Sequence, residues 1–345
     1  MNNELKFDWN DITLVPAAIS DISSRKEISP YKDNTLPLFT APMDTVIDED
    51  NVDDFVNNNI NICLPRHLSN NKKIKKNKYK DSFFFSFGLD EIIKKVDNDE
   101  RLPEKVLIDI ANGHMRKLYD VAKKIKQNYN IELMVGNIAN PDTYLEYCKI
   151  GVDYIRVSIG SGSVCTTSAN ASIHFPLASL VYECAQIKKE FENPTKIIAD
   201  GGFKNHSDII KAIALGADYV MIGSVFNKSL ESCSDSYLKN DNGDYYKVDK
   251  NTAKKTIESG NAVYKYYRGM STKEVQKFWK KEKLTTGEGI SKYNKVEYSL
   301  YGWTENFVDY LKSAMSYCNS KRIDDFSGGA KWVKITQNSF NRFNK

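Results

Sequence analysis

The sequence predicts an α/β protein with a single (β/α)8 barrel, the TIM-barrel architecture. Eight short apolar runs recur along the 345 residues, each apolar on consecutive positions, and amphipathic helical patterns separate them. Consecutive apolar positions are typical of parallel strands that are covered on both faces. Strand–helix units repeated in series favour a closed barrel, with a doubly wound sheet as the alternative.

The predicted strands follow one another in chain order. They are "LPLFTA" (36–41), "INICL" (60–64), "SFFFSFG" (82–88), "KVLIDI" (105–110), "IELMVG" (131–136), "DYIRVSI" (153–159), "TKIIAD" (195–200) and "DYVMIGS" (218–224). A polar insertion over 229–263 and a glycine-flanked flap region over 264–300 follow the eighth unit. A last helical pattern, "TENFVDYLKSAMSYC", closes the side of the barrel. Residues 1–345 are therefore expected to form one catalytic domain.

Composition excludes several classes of protein. The net charge is only +4, and the lysine run at 71–80 is typical of a solvated face, so nucleic acid is not an expected partner. The six cysteines show no paired spacing, which argues against a zinc site or a disulfide framework. No run has the length of a membrane span and no signal peptide is recognisable, so a cytoplasmic protein without a membrane partner is expected.

Several predicted strands end in polar or glycine-rich loops. These loops are "APMDT", "GNIANP", "GSGSVCTTS", "ADGGF" and "IGSVF". In a (β/α)8 barrel such loops share the C-terminal face, where active sites lie, and the loops after the last two strands commonly hold phosphate. The sequence therefore predicts that Cys165, after the sixth strand, lies beside a phosphate site.

Cys165 stands in "IGSGSVCTTSA", an open and polar setting. The glycines allow close approach of backbone to a ligand, and the following hydroxyls can handle protons. The alternative is a buried structural cysteine, which this setting disfavours. The other five cysteines lie in apolar or helical patterns and are expected to be inert.

Other polar residues at predicted strand ends permit two interpretations each. Asp200 before two glycines suits a ribose diol and a phosphate, or simply ends a strand in a turn. Asp109 and Asn137 are either polar stops or contacts to a ligand. Glu288 is either a solvated flap residue or a proton-transfer group, if the flap folds over Cys165. His67, after the second strand, is the histidine best placed for a role.

Taken together, "GSGSVCTT", "ADGGF", "APMDTV", "GNI" and "YYRGMS" resemble the IMP dehydrogenase/GMP reductase family, from "DWNDITLVP" to "VKITQ". The resemblance implies a barrel, usually assembled as a homotetramer, that acts at C2 of a purine nucleotide. It also implies that the nucleotide forms a covalent thioimidate with Cys165.

The resemblance assigns roles to individual residues. Cys165, Thr167 and Glu288 are the implied catalytic residues. The implied nucleotide contacts are Ser163, Asp200, Gly201, Gly202, Gly223, Ser224, Tyr267, Arg268, Gly269 and Met270. The implied cofactor contacts are Arg66, Asp109, Asn112, Gly113 and Asn137. Backbone carbonyls of Gly160, Gly162 and Cys165 match the family's potassium loop.

Within the family, three features favour GMP reductase. No CBS modules fit between the second and third strand regions. The flap lacks the Arg-Tyr pair with which dehydrogenases activate water. The segment "IDIANGH" resembles the corresponding motif of reductases. The expected reaction is NADPH-dependent reductive deamination of GMP, or a related nucleotide such as dGMP, to IMP and ammonia.

Two other functions stay open at this point. One is a CBS-lacking IMP dehydrogenase that oxidises IMP to XMP with NAD, which needs another residue, such as Lys281, to activate water. The other is a catalytically silent barrel that binds purine nucleotides. The chain also departs from the family pattern, with Ser161 in the place of a proline and "PRH" at Arg66 and His67.

Overall fold

A computed structural model describes residues 4–278 and 286–343 of the chain. Lys281 lies outside these residues. Eight strands form one sheet in the order β2-β9-β8-β7-β6-β5-β4-β3, and every neighbouring pair is parallel. The strands are β2 (Leu38–Thr40), β3 (Cys63–Leu64), β4 (Phe84–Phe87), β5 (Lys105–Asp109), β6 (Glu132–Ile138), β7 (Tyr154–Val157), β8 (Lys196–Asp200) and β9 (Tyr219–Ile222).

The sheet closes between its first and last members. Phe39 of β2 forms a parallel bridge with Asn61, just before β3. Two backbone hydrogen bonds complete this seam, from Thr40 N to Asn61 O at 3.0 Å and from Asn61 N to Leu38 O at 3.0 Å. The predicted (β/α)8 barrel is thereby confirmed, and each of the eight predicted strands is present.

Side chains fill the interior of the barrel. One buried cluster takes residues from all eight strands: Phe39, Ala41, Cys63, Phe84, Leu107, Met134, Tyr154, Ile198, Tyr219 and Met221. Its aromatic rings meet edge to face, with centroids 5.7 Å apart for Phe39 and Phe84. The middle of the barrel is therefore a packed core, which leaves the ends for ligands.

Helices surround the barrel and bury one apolar face each. In α4, for example, Leu118, Ala122 and Ile125 are fully buried at helical spacing. The helices are α1 (Val52–Asn57), α2 (Lys72–Lys76), α3 (Leu89–Asp97), α4 (Arg116–Asn128), α5 (Pro141–Lys149), α6 (Thr167–Ala171), α7 (Leu177–Lys188), α8 (His206–Leu215), α9 (Ser224–Asn227), α10 (Lys250–Glu258), α11 (Lys273–Phe278), α12 (Leu300–Tyr317), α13 (Ile323–Phe326) and α14 (Gln337–Phe343). No helix in the described part of the chain combines the length and apolar composition that a membrane crossing requires.

In the described part of the chain, two further sheets lie outside the barrel. Near the two ends of the chain, β1 (Ile12–Leu14) pairs with β14 (Trp332–Lys334). A four-stranded antiparallel sheet has the order β11-β10-β12-β13. Its strands are β10 (Ser236–Lys239), β11 (Tyr245–Val248), β12 (Tyr264–Arg268) and β13 (Ser291–Lys295). Insertion and flap are thus joined through β12, which pairs with a strand from each. The division into insertion and flap regions stays a prediction.

Candidate active site

Cys165 lies at the mouth of the barrel in contact with a hydroxyl, which in turn contacts a carboxylate. Its Sγ is 3.2 Å from Thr167 Oγ1, which lies at the start of α6. Thr167 Oγ1 donates a hydrogen bond of 2.5 Å to Glu288 Oε2. The three predicted catalytic residues therefore form one chain of contacts, thiol to hydroxyl to carboxylate.

The flap reaches this site because it pairs with the cysteine loop. Cys165 and Gly289 form an antiparallel bridge. Thr166 N donates to Glu288 O, and Ile290 N donates to Val164 O, each at 3.0 Å. These bonds place the Glu288 side chain over Thr167. The flap therefore folds over the cysteine loop, which is the condition under which the sequence makes Glu288 a candidate for proton transfer.

The other thiols have a different environment. Burial raises the pKa of each of them, and this disfavours the thiolate: Cys63, Cys148, Cys184, Cys233 and Cys318. Only a thiolate is an effective nucleophile. Cys165 is half-buried, and its sulfur has a hydroxyl neighbour in Thr167.

Below this loop, a layer of charged side chains crosses the barrel mouth. Asp109, Arg156 and Asp200 each stand two residues beyond a member of the interior cluster on β5, β7 and β8, so all three point inward. Arg156 Nη1 donates to Asp109 Oδ1 at 2.7 Å. Its Nε and Nη2 donate to Asp200 Oδ2 at 3.0 and 2.8 Å. Asn137 Nδ2 donates to the same Asp200 oxygen at 2.7 Å.

Asp109 is held from its other side by Arg66. Arg66 Nε donates to Asp109 Oδ2 at 3.2 Å, and Arg66 Nη2 donates to the Asp109 backbone carbonyl. Burial alone would raise the pKa of Asp109, but Arg66 and Arg156 outweigh it and hold that pKa below its usual range. Asp109 is therefore ionised at neutral pH.

Sequence reasoning missed Arg156, although a signal was present. A charged residue interrupts the apolar run "DYIRVSI", which the same reasoning assigned to a strand covered on both faces. Arg156 is 7% exposed, and a buried arginine requires carboxylate partners. Gly136 makes room for it, because a Cβ there would lie 2.6 Å from the Cβ of Arg156.

The glycines after Asp200 pack against the cysteine loop. Gly201 and Gly202 have φ values of +83° and +81°, which favour glycine. A Cβ on Gly202 would lie 3.2 Å from both Cβ and O of Ser161. The exposed Ser163 lies in the same loop. The structure therefore brings the loops after β7 and β8 together, as the sequence predicted.

The loop after β9 meets the start of the flap. A Cβ on Gly223 would lie 2.7 Å from Tyr267 Oη and 3.2 Å from Met43 Sδ. Tyr267 is almost fully buried, and burial raises its pKa. The half-buried Ser224 follows as the first residue of α9. Met43, which sequence reasoning did not select, accepts a hydrogen bond from Tyr267 Oη at 3.4 Å.

Arg268, Gly269 and Met270 have three different surroundings. Arg268 pairs with Asp44 at 2.7 Å and with Glu274 at 3.3 Å, so its guanidinium is directed to protein carboxylates. Gly269 donates from its backbone N to Ile290 O at 3.0 Å and packs against the carbonyl of Val164. Met270 is half-buried beside them.

The loop after β5 holds the last two predicted cofactor residues. Asn112 is exposed, and its Oδ1 accepts from the backbone N of His114 at 3.1 Å. Gly113 is buried, and its N donates to Asn137 O at 2.7 Å. A Cβ on Gly113 would lie 2.5 Å from that same oxygen, which explains the glycine by packing.

Two carbonyls of the predicted potassium loop accept hydrogen bonds from the protein. Ser168 Oγ donates to Gly160 O at 3.1 Å, and Cys165 N donates to Gly162 O at 2.9 Å. A carbonyl oxygen has two lone pairs, so each keeps one for another partner. The potassium site stays a prediction.

Comparison with known proteins gives a consistent family. A sequence model described as "IMP dehydrogenase / GMP reductase domain" matches residues 100–343. An inosine-5'-monophosphate dehydrogenase of Chlorobaculum tepidum is 34% identical over 239 residues, which cover 67% of this chain and 45% of that protein. Those of Cryptosporidium parvum and Borreliella burgdorferi are both 32% identical, over 260 and 256 residues. These matches cover 73% and 71% of this chain, and 60% and 59% of the relatives. The chain thus spans about half the length of the curated relatives it matches.

The expectation of a GMP reductase that uses NADPH is wrong. The relatives reported above are named as IMP dehydrogenases, as are further relatives from Aquifex aeolicus and Helicobacter pylori. The expectation rested on two absences, the CBS modules and the Arg-Tyr pair, and on the likeness of "IDIANGH" to a reductase motif.

Fold, sequence match and site geometry lead to one assignment. The barrel carries a half-exposed cysteine after its sixth strand, and this loop and the flap lie within the matched residues 100–343. The chain belongs to the IMP dehydrogenase / GMP reductase family.

Proposed function

We propose that this chain oxidises IMP to XMP with NAD as the hydride acceptor, through a covalent intermediate on Cys165. The contact chain from Cys165 through Thr167 to Glu288 is the observation that carries the proposal. The names of the relatives, which are IMP dehydrogenases, supply the substrate.

Cys165 is the proposed nucleophile. Its sulfur adds to C2 of the purine, and C2 then loses its hydrogen as hydride. The product of these two steps is a thioimidate between Cys165 and the nucleotide. Splitting the reaction through a covalent intermediate is the usual advantage of nucleophilic catalysis.

Thr167 and Glu288 are the proposed water-activating pair. A water molecule beside C2 gives a proton to Thr167 Oγ1 while the hydroxyl proton passes to Glu288 Oε2. The hydroxide oxygen bonds to C2, the C2–S bond breaks, and XMP leaves with the thiolate restored. The relay needs the hydroxyl within hydrogen-bond distance of its base, and the 2.5 Å contact meets that condition.

The charged layer suits a sugar and an anionic dinucleotide. Asp200 is the proposed partner of the nucleotide sugar. Arg66 keeps 26% of its side chain exposed at the mouth, where a positive charge fits a cofactor that carries a pyrophosphate. NAD, when bound, supplies the acceptor for the hydride from C2. Asp109, Asn112, Gly113 and Asn137 stay proposed contacts on the cofactor side.

NADH formation from IMP and NAD tests the proposal. We expect absorbance from NADH that requires both compounds and equimolar XMP in the product. Cys165→Ala should abolish it, whereas Cys318→Ala, which changes a half-buried thiol of α12's C-cap, should not. Failure of the wild-type protein to form NADH from IMP contradicts the proposal.

Three expectations from the sequence stay predictions beside this function. They are a homotetrameric assembly, a potassium ion on the loop carbonyls of Gly160, Gly162 and Cys165, and a cytoplasmic location. Sedimentation of the purified protein and the dependence of its rate on K+ against Na+ test the first two.

A further inference from the structure

The two carboxylate oxygens of Asp200 differ in their hydrogen bonds to the protein. Its Oδ2 accepts three hydrogen bonds, two from Arg156 and one from Asn137. Among the described residues no protein group donates to Oδ1. The side chain is 12% exposed, so this oxygen is the part of Asp200 that a ligand can reach.

The orientation of Asp200 depends on a fork-shaped partner. Nε and Nη2 of Arg156 bind the same oxygen of Asp200, while Nη1 binds Asp109 of β5, on the other side of Arg156. The planar guanidinium thus fixes the angle between the two carboxylates, which the single nitrogen of a lysine cannot do. Because Arg156 is buried and cannot easily move, it restricts the rotation of the Asp200 carboxylate.

We propose that Arg156 is a positioning residue that determines the sugar specificity of the nucleotide site. It turns Asp200 so that Oδ1 faces the sugar hydroxyls. Asp109 anchors Arg156 from the side opposite to Asp200, and so acts on sugar recognition without touching the nucleotide. This inference rests on the proposed function, because it takes Asp200 as the partner of the sugar.

The test compares the dissociation constants of IMP and 2′-deoxy-IMP, measured by calorimetry in the absence of dinucleotide so that no turnover occurs. A hydrogen bond to a charged group contributes about 1.5–3 kcal/mol, so the wild type should prefer IMP by about tenfold or more. Asp200→Asn gives the ratio of the two dissociation constants when no carboxylate binds the sugar hydroxyls.

Arg156→Lys keeps the positive charge and removes the fork. We expect the preference for IMP to fall to within about threefold, close to the Asp200→Asn value. The matched control is Arg116→Lys, the same change at an arginine on α4 whose side chain is 81% exposed, and it should keep the wild-type ratio. A purely structural role would lower both affinities equally and leave the ratio unchanged.

Asp109→Asn provides a second variant with nearly unchanged volume, in case Arg156→Lys fails to fold. It weakens the anchor at Arg156 Nη1 and should lower the ratio in the same direction, to a smaller extent. A folded variant of either kind with the wild-type ratio overturns the inference. A wild type that binds both nucleotides equally also overturns it, whereas a wild type that binds neither refutes the proposed function instead.

Discussion

Glu288 shows what a single residue contributes when the chain brings it to a distant partner. It is 121 positions away from Thr167 in sequence, yet the two side chains share a hydrogen bond. No spacing rule in the sequence connects them, and an exposed glutamate between glycines is ordinarily just solvated. The contact exists because the flap strand pairs with the cysteine loop, which is a property of tertiary structure.

Glu288→Gln should separate the two halves of the reaction. The amide keeps the shape of the side chain but cannot accept the proton from Thr167, so hydrolysis slows while formation of the thioimidate continues. We expect a burst of NADH followed by turnover that is lower by about 10²-fold or more. Intact-mass measurement during turnover should show Cys165 carrying the nucleotide.

Thr167→Ser serves as the control for that variant, because it keeps the hydroxyl. It should retain most of the steady-state rate and show little adduct. Steady-state turnover of Glu288→Gln at the wild-type rate would remove Glu288 from the proposed relay.

Gly113→Ala should destabilise the protein through packing alone. The new Cβ would lie 2.5 Å from the carbonyl oxygen of Asn137 and 2.8 Å from Ile138 Cγ2. Overpacking of this kind costs about 1–3 kcal/mol, which urea unfolding measures. Gly302→Ala, in the first turn of α12, should cause no such loss, since its Cβ meets only Ser299 Oγ at 3.2 Å. Equal stability of the two variants would contradict this account of Gly113.

At the scale of elements, the sequence was most informative where one physical cause dominated. The eight barrel strands are buried on both faces, so unbroken apolar runs predicted all of them, with ends displaced by a few residues. The polar layer above the core was harder. Asp109 and Asp200 stand at strand ends, where a polar residue is conspicuous, but Arg156 lies within β7, and only its ion pairs with carboxylates on β5 and β8 explain it.

The four-stranded sheet shows a second limit. Its strands carry tyrosine and lysine on many positions, a composition that gives no clear apolar period. The contact of Tyr245 with Tyr293, whose rings stack 4.0 Å apart, joins insertion and flap across the sheet. Such contacts between segments far apart in sequence decide the pairing, and they are invisible until the chain is folded.

The contribution of Lys265 in β12 to the stability of the protein should increase with rising pH. It is 2% exposed, and burial lowers its pKa from 10.5 to about 8. The unfolded chain therefore binds more protons than the folded chain between about pH 8 and 10.5, so this lysine adds stability as the pH rises through that window.

Urea unfolding of the wild type and Lys265→Met at several pH values isolates this contribution. The difference in unfolding free energy between them should shift in favour of the wild type from pH 7 upward to pH 10. The comparison of the two proteins is needed because buried thiols such as Cys233 lower the stability of both as the pH rises. Burial raises the pKa of these thiols, so the folded chain keeps protons that the unfolded chain loses. A difference that does not change with pH would show that Lys265 is not desolvated.

On the scale of the whole molecule, the two ends of the barrel have separate tasks. The residues of the candidate site follow the carboxyl ends of the strands. The opposite end carries ion pairs that join strands to helices. Asp218, before β9, accepts hydrogen bonds from Lys188 at 2.6 Å, Lys32 at 3.0 Å and Ile197 N at 2.8 Å. Stability and catalysis should therefore be separable by mutation.

Asp218→Asn should lower stability and leave the chemistry intact. Removing one partner of a buried ion pair costs about 3–5 kcal/mol, because the lysines lose their countercharge. The rate per folded molecule should not change at temperatures well below unfolding. A loss of rate equal to the loss of stability would contradict the separation of the two ends.

The same variant should also alter the response to acid. Burial alone would raise the pKa of Asp218, but Lys188 and Lys32 outweigh it and hold the pKa below 3.8. A carboxyl with a lowered pKa contributes stability above its unfolded value, and this is lost as the pH falls through the folded value. Asp218→Asn should therefore have a shallower decline in unfolding free energy below about pH 4 than the wild type.

The double attachment of the flap has a kinetic consequence. Glu288 is itself hydrogen-bonded to the cysteine loop through its backbone carbonyl, and the residues after it bond to that loop at Ile290 and then continue into β13. Its carboxylate is therefore held near Thr167 at an effective concentration in the millimolar range or far above, as for a tethered ligand. Buffer anions at ordinary concentrations cannot compete with such a neighbour. Added formate or acetate should accordingly leave the wild-type rate unchanged and rescue turnover only where the glutamate has been replaced by a smaller residue, as in Glu288→Ala.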